Sequence, residues 1–395
     1  MEALTIITSI SVLLLVGIIG SIIAGKLKLP DVLILILLGV AAGFVKYDGR
    51  PLVEFPALFL ATISILAMAL IVFDSAARLR LRELDVHAFK SLKLVFIFSV
   101  LVIICFSVMA YVILGISFWL AVLLAVMLIG TSPEVVLPML SEYKGAALCI
   151  LKFESLFNTP LTMVLPFVVL DFMRGAPSGA AQEFIGMISP FLTKLIVGIG
   201  AGVFVGLILF KLTQKKYSPI YSPLAVIVGA MITYVLSENL GGDGVLAVTT
   251  LGVFFSNVAL KEKISLLSIE SILTKALFIF VFILVGMTIR IPVNIDFFIR
   301  AIGLLIAYIL IRFIAVTLCF QGPEHTFKSN LFMALVCPKG ISTSTLVFLF
   351  AIYNVPGTSY FIPGVSIILD FVLIFILLSI LLSSLVAWQY KRFIV

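Results

Sequence analysis

Four polar residues offer oxygen ligands within one otherwise apolar run. Glu154, Ser155, Asn158 and Thr159 fall in residues 146–173, a stretch long enough to cross a bilayer. In a helix, Glu154 and Asn158 share a face because they are four residues apart. Carboxylate, amide and hydroxyl oxygens suit a hard cation such as Na⁺, and ionisable groups at membrane depth mark ion paths. The set predicts ion binding, with Glu154 as a candidate proton carrier.

Glu154 has a second interpretation, in which it is a structural partner. A buried carboxylate needs pairing, and Arg312 lies in a later apolar run. A buried pair of this kind can hold helices in register without handling any ion. The sequence leaves both roles open.

A second polar group interrupts the apolar run 117–141. Its residues Thr131 and Ser132 precede Pro133 and Glu134, and proline removes a backbone donor and disrupts a helix. Unwound backbone at membrane depth lines a cavity or is buried in protein. Thr131 and Ser132 therefore join the predicted ion-binding set, and Glu134 is the second candidate proton carrier. The alternative is that Glu134 points into a lipid-headgroup region or a cytoplasmic funnel.

A third group, Cys337-Pro338-Lys339-Gly340, interrupts the run 328–353. One broken helix in each half of a chain is typical of transporters built from inverted repeats, whose site lies near the bilayer midplane. Lys339 could offset the negative end of a half-helix dipole. The alternative is a lysine that titrates or contacts an anion.

The composition requires lipid as the solvent. Of 395 residues, 63% are hydrophobic and only 11% are charged, and the mean hydropathy is +1.33. The first apolar run lacks a basic leader and reads as a spanning helix rather than a signal peptide. The net charge of +7 is spread between apolar runs, which argues against nucleic acid. The four cysteines and two histidines lack metal-ligand spacing, so we expect neither an enzyme nor a cofactor.

The apolar runs predict an all-α membrane fold with about thirteen spans. Placing the N-terminus outside and the C-terminus inside puts 18 of the 26 basic residues on the inner side, as the positive-inside rule favours. Lys194 is read as a side chain that snorkels outward, and residues 241–244 as a flexible connection. The predicted spans are 4–24, 30–46, 56–77, 91–114, 117–141, 146–173, 187–211, 221–238, 244–259, 272–289, 297–320, 328–353 and 363–388.

The order of these motifs resembles the NhaP-like members of the monovalent cation/proton antiporter superfamily over nearly the whole chain. Arg312 matches a family arginine that pairs with the glutamate at the Glu154 position. Thr131-Ser132-Pro133 stands where the family has Thr-Asp-Pro, and Glu154 to Pro160 stands where it has a Glu followed by Asn-Asp. Cys337-Pro338-Lys339-Gly340 stands where the family has Gly-Pro-Arg-Gly. The run Gly244 to Val248 also resembles a family motif.

The resemblance implies a thirteen-helix antiporter fold of inverted repeats, in which broken helices 5 and 12 cross. It further implies a core domain of about 91–173 and 297–388, and a dimerisation or scaffold domain of about 4–77 and 187–289. The implied activity is elevator-like exchange of Na⁺, or Li⁺ or K⁺, for H⁺. The implied setting is a multi-pass homodimer in the lipid bilayer of the cell membrane.

Two departures from the family motif bear on the mechanism. Ser132 and Thr159 stand where the family has aspartates that bind the cation when ionised and release it when protonated. Hydroxyls ligate Na⁺, but they do not ionise near neutral pH. The leading hypothesis is therefore cation/proton exchange with atypical coupling, in which Glu134 or Glu154 carries the proton.

Two other hypotheses are compatible with the sequence. Losing two acids while keeping Arg312 and Lys339 makes the core more positive, which would suit uncoupled transport or transport of an anion or another solute. The last hypothesis is a non-transporting sensory or regulatory relative.

Overall fold

A computed structural model provides the structure of the chain. It describes residues 2–27, 30–47, 50–51, 55–77, 86–140, 146–173, 180–215, 218, 221–257, 263–289, 294–321, 326–352 and 361–389. Several basic residues behind the topology prediction, such as Arg78 and Lys144, lie outside these ranges.

Helices make up nearly all of the described structure, with one pair of two-residue strands. The strands are β1 (Lys46–Tyr47) and β2 (Arg50–Pro51), which pair antiparallel. The helices are α1 (Glu2–Leu27), α2 (Asp31–Phe44), α3 (Ala57–Ala77), α4 (Val86–Leu101), α5 (Ser107–Leu114), α6 (Phe118–Met127), α7 (Pro133–Met139), α8 (Ala146–Met173), α9 (Ala180–Lys215), α10 (Tyr221–Asn239), α11 (Gly244–Asn257), α12 (Lys263–Thr288), α13 (Ile295–Cys319), α14 (Phe327–Leu335), α15 (Ile341–Ile352) and α16 (Val365–Trp388). A π-helical segment, Val102–Phe106, joins α4 to α5.

Within the described ranges, nine helices are long and apolar enough to cross a membrane. Four shorter apolar helices, α2, α6, α11 and α15, accompany them. The expected all-helical membrane fold is confirmed, whereas the count of thirteen spans and their orientation stay predictions.

Both sequence interruptions are non-helical in the structure. The first lies at residues 128–132, between α6 and α7, and Pro133 opens α7 at a position where a backbone N–H would have no helical partner. The second lies at residues 336–340, between α14 and α15. Pro338 stands in its middle and supplies no backbone donor.

Glycines allow the backbones of α2 and α12 to touch. A Cβ atom added to Gly39 would lie 2.8 Å from the Cα of Gly286, so neither position has room for a side chain. A separate apolar cluster joins α3 to α9, α10 and α11. Helix α15 packs against α3, α8 and α16. These contacts do not test the division into core and scaffold domains, which stays a prediction.

Candidate functional site

The two interruptions meet through their backbones. The Ser132 N–H donates a hydrogen bond to the carbonyl oxygen of Pro338, with 3.1 Å between the nitrogen and the oxygen. Gly340 permits the close approach, because an added Cβ would lie 2.6 Å from the Ser132 hydroxyl oxygen and would also collide with the Glu134 carboxylate. The non-helical segments of residues 128–132 and 336–340 are therefore in direct contact, and this contact is called the crossing.

Glu134 connects α7 to the start of α15. Its Oε1 atom accepts a hydrogen bond from the Ile341 N–H at 2.6 Å, and the side chain is buried. A carboxylate at a helix N-terminus is stabilised by the exposed backbone N–H groups and the helix dipole. Its second oxygen, Oε2, is buried and has no hydrogen-bond partner among the described residues. Within the described part of the chain, Oε2 can therefore accept a hydrogen bond or a cation.

Glu154 is held by Arg312 in a two-fold ion pair. The Arg312 Nη1 and Nη2 atoms donate to Glu154 Oε1 and Oε2 at 2.7 and 2.8 Å, and both side chains are fully buried. Arg312 Nε also donates to the carbonyl oxygen of Met333 on α14. The guanidinium carbon lies 5.0 Å from the ring centroid of Phe98. Both oxygens of Glu154 are thus already engaged, and the pair joins α8 to α13.

Asn158 extends this network to the first interruption. Its Nδ2 atom donates to Glu154 Oε1 at 3.2 Å and to the Thr131 hydroxyl oxygen at 3.4 Å. Its Oδ1 atom is buried without a hydrogen-bond partner in the described part of the chain. Asn158 therefore presents a second unused oxygen beside the crossing.

The hydroxyls of Ser155 and Thr159 bond within α8. Ser155 donates to the carbonyl oxygen of Lys152 and Thr159 to that of Ser155, each at 2.8 Å. Each hydroxyl oxygen keeps acceptor capacity after giving up its hydrogen. Neither of these two hydrogen bonds reaches the crossing.

The ammonium group of Lys339 reaches the C-terminal end of α6. Its Nζ atom donates to the carbonyl oxygens of Leu128 and Gly130 at 2.6 and 2.7 Å, and to the hydroxyl of Tyr308. Three oxygens match the three hydrogens of an ammonium group. The side chain is fully buried, so a positive charge meets the unpaired carbonyls at the end of a helix.

A profile described as "sodium/hydrogen exchanger, transmembrane" matches residues 10–389 of the sequence. The chain belongs to the sodium/hydrogen exchanger family. This agrees with the NhaP-like resemblance of its motifs, and it makes the chain a multi-span membrane protein.

Named relatives support the family assignment. The chain is 30% identical over 234 residues to the "Na(+)/H(+) antiporter ApNhaP" of Aphanothece halophytica, a match covering 58% of this chain and 43% of the relative. It is 26% identical over 323 residues to the "K(+)/H(+) antiporter NhaP2" of Shewanella sp. (strain ANA-3), covering 80% and 55%. The chain spans about half the length of the curated relatives that it matches.

A solved structure shares the fold of this exchanger-family chain. The sodium proton antiporter MjNhaP1 from Methanocaldococcus jannaschii at pH 8 superposes with a TM-score of 0.83 at 21% sequence identity. The match covers 98% of this chain and 99% of that structure. The two proteins therefore have the same overall architecture.

Sequence reasoning missed Tyr308, which the structure places beside Lys339. Its hydroxyl donates to the carbonyl oxygen of Leu128 at 2.9 Å, and its ring meets Phe98, Phe106 and Phe375 edge-on at centroid distances of 5.5, 5.7 and 6.1 Å. The one available signal was its spacing, four residues before Arg312, which puts both side chains on one face of α13.

Two serines of α16 were also missed. Ser379 and Ser383 accept hydrogen bonds from the backbone N–H groups of Lys339 and Cys337, at 3.0 and 3.1 Å. The two serine hydroxyls replace the backbone carbonyls to which these N–H groups would donate in an unbroken helix. Nothing in the sequence distinguishes them from other serines in apolar helices.

Proposed function

We propose that the protein exchanges a monovalent cation, with Na⁺ first among the candidates, for H⁺ across the membrane. The observation that carries the proposal is the crossing, at which Glu134 caps α15 while its buried Oε2 atom has no hydrogen-bond partner among the described residues. Membership of the sodium/hydrogen exchanger family supports the reaction type. Relatives named as Na⁺/H⁺ and K⁺/H⁺ antiporters support the class of cation.

Glu134 is the proton carrier in this proposal. A buried carboxyl oxygen without a partner is costly, and either a proton or a cation relieves the cost. The two occupants exclude each other because both neutralise the same charge. That exclusion couples the movement of the cation to the movement of the proton, as a buried aspartate would.

Glu154 has the structural role in this proposal. Both of its oxygens accept hydrogen bonds from Arg312, so binding a proton or a cation would require breaking a two-fold, fully buried pair. The pair instead fixes α8 against α13 and orients Asn158. We assign the cation ligands to the unpartnered oxygens of Glu134 and Asn158, with the hydroxyls of Thr131, Ser132, Ser155 and Thr159 completing the set.

Lys339 secures the broken end of α6 in this proposal. Its ammonium group satisfies carbonyl oxygens that have lost their helical donors, which keeps the unwound segment rigid next to the ion site. Rigid oxygens bind a cation more tightly than mobile ones, because the site does not have to be ordered on binding.

The remaining parts of the proposal follow the antiporter architecture. Thirteen spans would run from an outer N-terminus to an inner C-terminus, with the crossing near the bilayer midplane. The core helices, about 91–173 and 297–388, would move as an elevator against the scaffold helices, about 4–77 and 187–289. Two copies in the cell membrane would form a homodimer through the scaffold.

Dissipation of a pH gradient in proteoliposomes tests the proposed function. Vesicles containing the purified protein receive Na⁺, Li⁺, K⁺ or the bulky cation N-methylglucamine after the gradient is formed. We expect at least one alkali cation to dissipate the gradient and N-methylglucamine to leave it intact. A gradient that responds to none of them, or cation flux that proceeds without proton movement, would rule out exchange.

A further inference from the structure

The apolar span Ala88–Leu114 contains a π-helical turn, Val102–Phe106 (the π turn), which joins α4 to α5. The residues on either side, Leu101 and Ser107, keep α-helical backbone angles, so the helix continues through the turn without a break. A π turn holds one more residue than an α-helical turn, and it therefore amounts to a one-residue insertion. Such turns are rare and are found frequently at functional sites.

The serine that follows the π turn supports its backbone. In a π turn, backbone N–H groups donate to carbonyls five residues earlier instead of four, so the carbonyl oxygens exchange their usual partners. The Ser107 hydroxyl donates to the carbonyl oxygen of Ile103, four residues earlier, at 2.6 Å. Ser107 is fully buried, and its bond keeps a polar group of the widened helix paired. The π turn is therefore part of the packed structure.

The π turn changes which residues share a face of the helix. Phe98 and Phe106 are eight residues apart. In an uninterrupted α-helix, eight residues leave two side chains about 80° apart around the axis, because each residue turns the helix by about 100°. One inserted residue offsets about 100° of that rotation, so the two side chains lie about 20° apart, as residues seven apart do. The π turn thus aligns Phe98 with Phe106.

The aligned pair contacts one residue of a neighbouring helix. The rings of Phe98 and Phe106 meet the ring of Tyr308 on α13 at interplanar angles of 86° and 88°. Phe375 on α16 meets the same ring at 80°, and it also meets Phe106 at a centroid distance of 6.1 Å. All four side chains are almost fully buried. Phe98, Phe106 and Phe375 form the aromatic cage of Tyr308.

The helix could not supply these contacts by rotating as a whole. Phe98 contacts Arg312 as well as Tyr308, with 5.0 Å between its ring centroid and the guanidinium carbon. Without the π turn, a rotation that brought Phe106 to Tyr308 would carry Phe98 away from both partners. The contacts of Phe98 and Phe106 together therefore need a local change of register.

The aromatic cage determines where the Tyr308 hydroxyl lies. This hydroxyl accepts a hydrogen bond from Lys339 Nζ and donates one to the carbonyl oxygen of Leu128. Lys339 also donates to the carbonyl oxygens of Leu128 and Gly130. The contacts therefore run from the π turn through Tyr308 and Lys339 to residues 128–132, which form one side of the crossing.

We propose that the π turn is a positioning device for cation exchange: its extra residue aligns Phe98 with Phe106, and the aromatic cage then fixes Tyr308 and, through it, Lys339 at the crossing. The inference rests on the proposed function. Tyr308 is a positioning residue, because its hydroxyl holds Lys339 and the backbone of residues 128–132 rather than the transported ion.

Hydrogen exchange of the backbone measures this positioning without any transport. Deuterium uptake is followed by mass spectrometry in a peptide containing residues 128–132 of the folded protein in detergent. Phe106→Leu removes one ring of the cage. We expect uptake in this peptide to rise roughly threefold to tenfold, as the loss of a buried hydrogen bond would allow.

Phe73→Leu is the matched control for this measurement. Phe73 is fully buried like Phe106 and also has an aromatic contact, with Phe255, but it lies in the separate apolar cluster of α3, α9, α10 and α11. The control should lower the melting temperature to a similar extent and leave the uptake of residues 128–132 at the parent rate. Parent-like uptake in Phe106→Leu, or an equal rise in both variants, would overturn the inference.

Changing the length of the π turn tests the register itself. Deletion of Ile104, an exposed residue of the turn, should give a continuous α-helix in which Phe98 and Phe106 remain aligned, and we expect parent-like uptake. Insertion of an alanine after Ile104 puts the two rings out of alignment and should raise uptake as Phe106→Leu does. The opposite pattern, or a chain that cannot fold without Ile104, would overturn the inference. If the chain with the insertion does not fold, the comparison of Phe106→Leu with Phe73→Leu decides.

The link to transport is measured in proteoliposomes. The KM for Na⁺ should rise about threefold in Phe106→Leu, because a site that must be ordered on binding holds its cation less tightly. Phe73→Leu and the chain without Ile104 should keep the parent KM. An unchanged KM in Phe106→Leu would overturn the role of the cage in transport. If the parent moves no cation at all, the proposed function fails, whereas deuterium uptake still decides the positioning.

Discussion

Glu134 on α7 accepts a hydrogen bond from the backbone N–H of Ile341, the first residue of α15, at 2.6 Å. This contact joins two interrupted segments that are more than 200 residues apart in the chain. It places a carboxylate at the positive end of a half-helix, and in the part of the chain that the structure describes the second carboxylate oxygen has no hydrogen-bond partner. Glu134 thereby offers the crossing an ionisable group that neither Ser132 nor Thr159 can provide.

Gly340→Ala should disrupt the crossing. An added methyl group would lie 2.6 Å from the Ser132 hydroxyl oxygen and would collide with Glu134, so the two segments must separate. We expect the melting temperature to fall by several degrees, consistent with an overpacking cost of about 1–3 kcal/mol, and cation exchange to be lost. Gly303→Ala on α13 is the control, because its methyl group would have no neighbour within 4 Å. Equal melting temperatures and equal exchange rates for the two variants would show that the crossing is loosely packed.

Glu154→Gln should destabilise the fold strongly. It leaves the Arg312 charge fully buried without its carboxylate partner, which costs about 3–5 kcal/mol. Thermal unfolding of the protein in detergent measures the effect. Asp296→Asn breaks the exposed pair with Arg300 and should cost less than about 1 kcal/mol. A well-folded Glu154→Gln protein with altered proton coupling would instead favour Glu154 as the carrier.

Tyr308→Phe should weaken the hold on Lys339 while leaving the ring in place. The change removes the hydroxyl that accepts from Lys339 and donates to Leu128, at a cost of about 1–3 kcal/mol for a buried group left without its partner. We expect a lower melting temperature and slower exchange. Tyr111→Phe, on the exposed side of α5, is the matched control and should leave both unchanged. A Tyr308→Phe protein as stable as this control would contradict the assigned contact.

Introducing aspartates at the two family positions should make cation-dependent proton flux less dependent on Glu134. Ser132→Asp adds a carboxylate at the crossing, and Thr159→Asp adds one on α8 beside Asn158 in the sequence. Each carboxylate can take up a proton or a cation. In a chain that also carries Glu134→Gln, we expect these two changes to restore cation-dependent proton flux to at least a tenth of the parent rate. Flux in proteoliposomes measures the rescue, and its complete absence in a folded protein would show that the site no longer supports coupling by aspartates.

The helical fold could be predicted well from the sequence, and the reason is physical. Long apolar runs have few alternatives to helices in lipid, because every backbone polar group must be satisfied within its own segment. Prolines at positions 133 and 338 marked the places where the helices are interrupted. The spans predicted at 187–211 and 272–289 lie within the longer helices α9 and α12, which extend beyond their apolar parts.

The contacts of the site were less accessible to sequence reasoning. The family resemblance supplied the Glu154–Arg312 pairing, but nothing indicated that Tyr308 and two serines of α16 would support Lys339. Contacts between distant segments depend on how the helices pack, which hydrophobic periodicity does not encode. The same holds for Lys194, whose inward direction depends on a cavity formed by other helices.

Two expectations about this part of the chain are wrong. The Nζ atom of Lys194 lies 5.6 Å from the ring centroid of Phe167 on α8, so the side chain does not snorkel outward. Residues 241–244 are not a flexible connection, because the Gly244 N–H donates to Glu238 Oε1 at 2.8 Å and orders the turn.

The proton flux of Glu134→Gln in proteoliposomes tests the central claim most directly. Glutamine keeps the oxygen that accepts from Ile341, so the crossing should stay intact, but it cannot exchange a proton for a cation. We expect Na⁺-driven dissipation of the pH gradient to fall at least a hundredfold, and Glu134→Asp to retain part of it. Parent-like flux in a folded Glu134→Gln protein would contradict the assignment of Glu134 as the proton carrier.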